Sequence, residues 1–116
     1  MFRISKQAFS QFAETAESAY IRKLAGFLRA NAPGMATEPD HTLLPQVAHV
    51  VARAREHGFS SERDVASFAL TAALLGPDFP DNFPGAREIL DMKAPAPRRA
   101  QLLKDFTCEL FEVLER

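Results

Sequence analysis

The chain has 116 residues, 47% of them hydrophobic and 25% charged, with a formal net charge of -1. That size supports one core, so residues 1–116 read as a single domain, and the balance excludes a disordered polymer. It also excludes a net field strong enough to gather phosphate backbones or anionic lipid, so neither nucleic acid nor a membrane is an expected partner.

The aromatic content is ten phenylalanines and one tyrosine, with no tryptophan, which favours packing over base stacking. A single cysteine, Cys108, excludes an internal disulfide and a thiolate zinc cluster. It fits a reducing compartment, and a cytoplasmic location is expected. Met1 to Lys6 lacks an apolar run after its positive charges, and no stretch nears the roughly 18 apolar residues that span a bilayer.

From Ser5 to about Asn31, Phe9, Phe12, Ala16, Tyr20, Leu24, Phe27 and Leu28 recur at three- and four-residue spacing, which predicts a long first helix with one apolar face. Pro33-Gly34 ends it, and 35–41 reads as a loop. A second helix is expected from Thr42 as N-cap, with Pro45 in its first turn and Gly58 closing it. Ser60 or Ser61 then caps a third helix that carries Glu62 and Asp64 in its first turn, where carboxylates suit the positive end of the helix dipole.

The third helix, to about Leu75, is apolar around nearly its whole circumference, so it should be the central element, enclosed by the others. Residues 76–85 hold three prolines and two glycines and read as a rigid irregular loop. A short helix follows from about Pro84 to Leu90, then a linker over 92–97. A last helix opens near Pro97, with Leu102, Leu103, Phe106, Leu110, Phe111, Val113 and Leu114 on one arc. The expectation is an all-α, compact, single-domain bundle of four main helices plus one short one.

Chemistry-bearing patterns are sparse. His41, His49 and His57 are eight residues apart, with no i, i+4 pair, and His49 and His57 fall on the polar side of the second helix; solvated polar residues are the better reading, and no metal or cofactor is expected. Asp78, Asp81 and Asp91 lie around proline turns, where carboxylates bond their own backbone more often than they catalyse. Cys108 sits beside Lys104, outside the apolar arc of the last helix, and would need a neighbouring histidine to act as a nucleophile. The passage 54–62 has the glycine turn of a helix-turn-helix, but the helix after it offers alanine, leucine and phenylalanine rather than groove-reading polar groups. No enzymatic activity is expected.

Two features point to recognition of another protein. Phe79 and Phe83, with Asp78 and Pro80, stand in a proline-stiffened segment, where an exposed aromatic would lose little entropy on docking; inward folding, to plug the helix ends, is slightly the better reading, and outward anchoring in a partner's pocket is the other. The last helix places Arg98, Arg99 and Lys104 at its positive end and Glu109, Glu112 and Glu115 at its negative end, against the macrodipole. Pairing of the arginines with Glu88 or Asp91 would account for it, and so would a polar docking face.

The run Gly58-Phe59-Ser60-Ser61-Glu62-Arg63-Asp64, then Leu75-Gly76-Pro77-Asp78-Phe79, then Pro84-Gly85-Ala86-Arg87-Glu88-Ile89-Leu90, resembles a family of small all-helical bacterial proteins encoded beside type VI secretion effectors. The resemblance covers residues 58–90, with Gly58, Phe59, Glu62, Asp64, Gly76, Pro77 and Pro84 as motif positions; Gly85 departs from it, since many members carry a tryptophan there. It implies a non-enzymatic accessory or co-chaperone whose partner is an effector or an effector's adaptor. An immunity protein that neutralises a cognate toxin is the other binding role to weigh.

Overall fold

The computed structural model describes the backbone of residues 6–115 and the side chains of residues 17–113. Six α-helices occur in the order α1 (Lys6–Asn31), α2 (Asp40–Glu56), α3 (Glu62–Leu75), α4 (Phe79–Asn82), α5 (Pro84–Asp91) and α6 (Ala96–Glu115), with a 3-10 turn at Pro33–Met35 between α1 and α2. No strand occurs among the described residues. The expected all-α class holds, but the short part of the fold is two helices rather than one. The side chains of Phe9, Phe12, Ala16 and Leu114, expected on apolar faces, lie outside the described residues.

α2 begins two residues earlier than expected, and Thr42 is not its N-cap. The reason is Arg29 of α1, whose guanidinium donates to the Glu38 carbonyl at 2.7 Å and to Asp40 Oδ1 at 2.6 Å, pinning the entering chain. Asp40 then places its carboxylate in the first turn, where the dipole favours it. Pro45 consequently falls in the second turn rather than the first. It has no N–H for the carbonyl of His41, and the helix tolerates that loss with Leu43 and Val47 buried on either side of it.

The α2–α3 corner follows from glycine chemistry. Gly58 adopts φ +91°, its N–H donates to the Arg55 carbonyl at 3.0 Å, and the Phe59 N–H reaches back to the Ala54 carbonyl at 3.1 Å, a Schellman closure. Phe59 is thereby turned fully inward. Ser61 takes the cap, its hydroxyl accepting from the Asp64 N–H at 3.1 Å, so of the two serines it is the second that starts α3.

α3 is the centre, packed against α1, α2, α4 and α6. Val65, Phe68, Ala69 and Ala72 are buried, while Ala66, Leu70, Ala73 and Leu74 are only half-covered. One polar contact crosses its seam with α6: the hydroxyls of Thr71 and Thr107 lie 3.1 Å apart, so that one donates to the other, whose own proton goes to a carbonyl of its helix. The periodicity reading had placed neither threonine in the core; paired hydroxyls can be buried without the cost of an orphaned polar group.

The expected irregular loop at 76–85 is mostly helix. Gly76, at φ +101°, ends α3, and then Pro80 in the first turn of α4 and Pro84 at the start of α5 sit where a helix needs no N–H from them. Phe79 is 0% exposed, stacked on Phe68 with ring centroids 5.1 Å apart; Phe68 also contacts Phe59 at 5.9 Å and His57 at 5.5 Å. Phe83 is half-buried, edge-on to Phe106 at 6.5 Å. Phe106 also closes over Gly85, where an added Cβ would come within 2.7 Å of its ring. A large side chain is excluded at 85 because an aromatic from α6 already fills that space.

Candidate functional site

Of the side chains expected to meet a partner, most are held by the chain itself. Phe79 and Pro80 are buried, so of the two readings of Phe79 the inward one holds and neither residue serves as an anchor; Phe79 packs against Phe68 of α3. Phe83 spends its exposed edge on Phe106. Asp78 is exposed, with its carboxylate 3.7 Å from Arg53, whose guanidinium also donates to the Pro77 carbonyl at 2.9 Å.

Arg98 is exposed. Arg99 is a structural clamp. Its guanidinium donates to the carbonyls of His57 at 2.8 Å, Ala94 at 3.0 Å and Leu90 at 3.3 Å, and lies 4.9 Å from the centre of the Phe59 ring. His57 caps the C-terminus of α2 and Leu90 lies in the last turn of α5, so the cation sits at the negative ends of two helices, with an aromatic face beneath it. This explains a charge that opposes the dipole of its own helix: the carbonyl ends of two others hold it. The expected pairing with Glu88 or Asp91 is not how Arg99 is satisfied, and Asp91 lies 3.9 Å from Arg87 on its own helix.

His57 is also not the solvated group expected. It is half-buried against Phe68, and that burial, followed by the nearby Arg53, Arg87 and Arg99 cations, lowers its pKa below the usual 6.5; Asp91 opposes the shift. Gathered groups of three or more metal-ligating side chains do not occur among the described residues.

Two apolar grooves open on the described surface, one on each side of α3. The first, about 390 Å³, lies between α2, α3 and the 3-10 turn, with Met35, Val47, Val50, Ala69 and Ala73 among its walls. No Asp, Glu, Lys or Arg is among its lining residues, and His49 and Gln46 supply its polar atoms at the α2 side. The second, about 430 Å³, runs between α1, α3 and α6 and is walled by Phe27, Leu70, Leu74 and Phe111. Arg63 and Lys104 mark one end, and the exposed Cys108 lies midway along. No histidine lines this groove, so the thiol has no imidazole beside it.

Sequence reasoning missed both grooves because every apolar residue in them obeys the helical period. Phe27 was assigned inward with Leu24 and Leu28, which are 3% and 4% exposed, yet Phe27 is 40% exposed. Leu24 and Leu28 are covered where α1 packs on α2 and α3, and Phe27 falls to the side of that contact. Comparison with family models, with curated proteins and with solved structures finds no match for this chain.

Proposed function

We propose that the chain is a non-enzymatic binding accessory, of co-chaperone or adaptor type, that holds an apolar segment of a type VI secretion effector or of that effector's adaptor. One observation carries the reading: the α2–α3 groove is open, apolar and without a charged side chain on its walls. A groove of that kind selects by shape and water exclusion rather than by ion pairing, and the occupant it suits is an uncharged, aliphatic face of a helix or strand. The resemblance of residues 58–90 supplies the class of partner.

The test deletes the gene in its host and restores it as wild type or as Val50→Asp, which places a carboxylate on the groove wall. The effector encoded alongside is followed by its steady-state level and its export, with helicity of the purified variant measured in parallel. Wild type should restore export, and a folded Val50→Asp protein should fail to. Full rescue by Val50→Asp overturns the groove as the binding site. Protection of cells from the expressed toxin, with export unchanged by the deletion, would make the chain an immunity protein instead.

A further inference from the structure

We infer that the groove between α1, α3 and α6 is an interface between two copies of this chain, in which α6 of each copy lies antiparallel in the groove of the other, with Cys108 near the twofold axis. The argument starts from the direction of the groove. Residues 67, 71 and 74 of α3 run alongside 104, 107 and 111 of α6, so the two helices are parallel here and the groove has a basic end, at Arg63 and Lys104, and an apolar end, at Leu74 and Phe111.

An occupant must therefore bring carboxylate to one end and aliphatic or aromatic surface along its length. α6 itself has that pattern. Lys104, Cys108 and Glu112 are spaced four apart on one side of it, and Phe111 adjoins them. Lys104 and Glu112 are separated by eight residues, about 12 Å along the axis. An antiparallel copy centred on Cys108 sets Glu112 of each chain opposite Lys104 of the other, so the pattern is self-complementary as a twofold interface requires. Among the described residues, the ion pairs within the chain use neither Lys104, Glu112 nor Arg63.

The second, independent observation is the polarity of α6. Arg99 is accounted for by the carbonyl ends of α2 and α5, whereas Glu112, in the last turn of α6, stands at the negative end of its own helix dipole and Lys104 near the helix middle, neither with a compensating contact among the described residues. In an antiparallel pair Lys104 is brought beside the last turn of the other α6, where the dipole favours a cation, Glu112 gains that lysine as its counter-charge, and the two dipoles oppose. The groove walls Phe27, Leu70 and Leu74 would then cover the partner's Phe111 and Cys108, removing from water the apolar surface that one chain leaves half-exposed.

Light scattering on the eluting wild-type protein at micromolar concentration should give twice 12.9 kDa. Lys104→Glu and Glu112→Lys should each weaken the dimer roughly tenfold or more by setting like charges opposite one another, and the double variant should recover it. A short bismaleimide should join two chains through Cys108 in wild type and in the double variant but not in either single one. All three variants alter exposed positions of one helix, and unchanged helicity shows that each folds. A wild-type monomer at these concentrations overturns the inference, as does a dimer that neither charge reversal weakens.

Discussion

The junction around Phe79 and the groove between α3 and α6 are built from similar residues and behave oppositely. At the junction, Phe59, Phe68 and Phe79 meet with Arg99 laid over one of them, and Phe59 and Phe79 have no exposed surface at all. In the groove, Phe27, Leu74 and Phe111 line open space. The prolines and glycines of 76–85 instead fold the segment back, because two short helices can turn a chain through a sharp angle and bring Phe79 against Phe68. The open apolar surface therefore lies on the smooth sides of long helices, where no turn signal marks it.

The difference can be measured. Phe79→Ala should lower the unfolding free energy by about 3–5 kcal/mol, the usual cost of emptying a phenylalanine site in a core. Leu74→Gln on the groove wall, measured in dilute protein, should cost less than about 1 kcal/mol. Denaturant midpoints for the two variants decide it, and equal losses would erase the distinction between a filled junction and an open groove.

Arg99→Gln sharpens the same contrast from the polar side. It strips the carbonyls of His57, Leu90 and Ala94 of a charged donor, and a loss of about 1.5–3 kcal/mol is expected in the same denaturant measurement. If Arg99 were a docking residue rather than a clamp, the substitution would leave the midpoint unmoved.

The smallest effect is a pH dependence at the rim of the junction. His57 has a folded pKa depressed below 6.5, mainly by burial, so between that folded value and 6.5 the unfolded chain binds a proton that the folded one does not. Stability then rises with pH across that window: its contribution is fully present above about 6.5 and is lost as the pH falls through the folded value. Urea midpoints at about pH 7.5 and 5.5 should fall further on acidification for wild type than for His57→Gln, since His41 and His49 are common to both. Identical slopes would mean that Phe68 does not shield the imidazole.

How much was legible in the sequence differs between these regions for the same reason. Local signals act over one turn: the glycine closing α2 at Gly58 and a serine cap for α3 read correctly because neighbours in the chain decide them, while the choice of Ser61 over Ser60, and which of the apolar residues of α3 are fully covered, came only with the structure. Thr42 as a cap failed because Arg29, on another helix, held the chain at Glu38 and Asp40 and started α2 earlier. Phe79 and Phe83 could be read as inward or outward, since which of the two depends on what stands opposite, and Phe68 and Phe106 are far along the chain.

The amino-acid order by itself determined an all-helical chain with α3 at its centre, because helical period, caps and breakers are properties of short segments. Only the tertiary packing decided that Arg99 would tie the ends of α2 and α5 together, that Phe106 would occupy the space above Gly85, and that α3 would be left with a groove on either side. Each of those depends on which residues distant in the chain come to face one another, a relation that exists only once the helices have met.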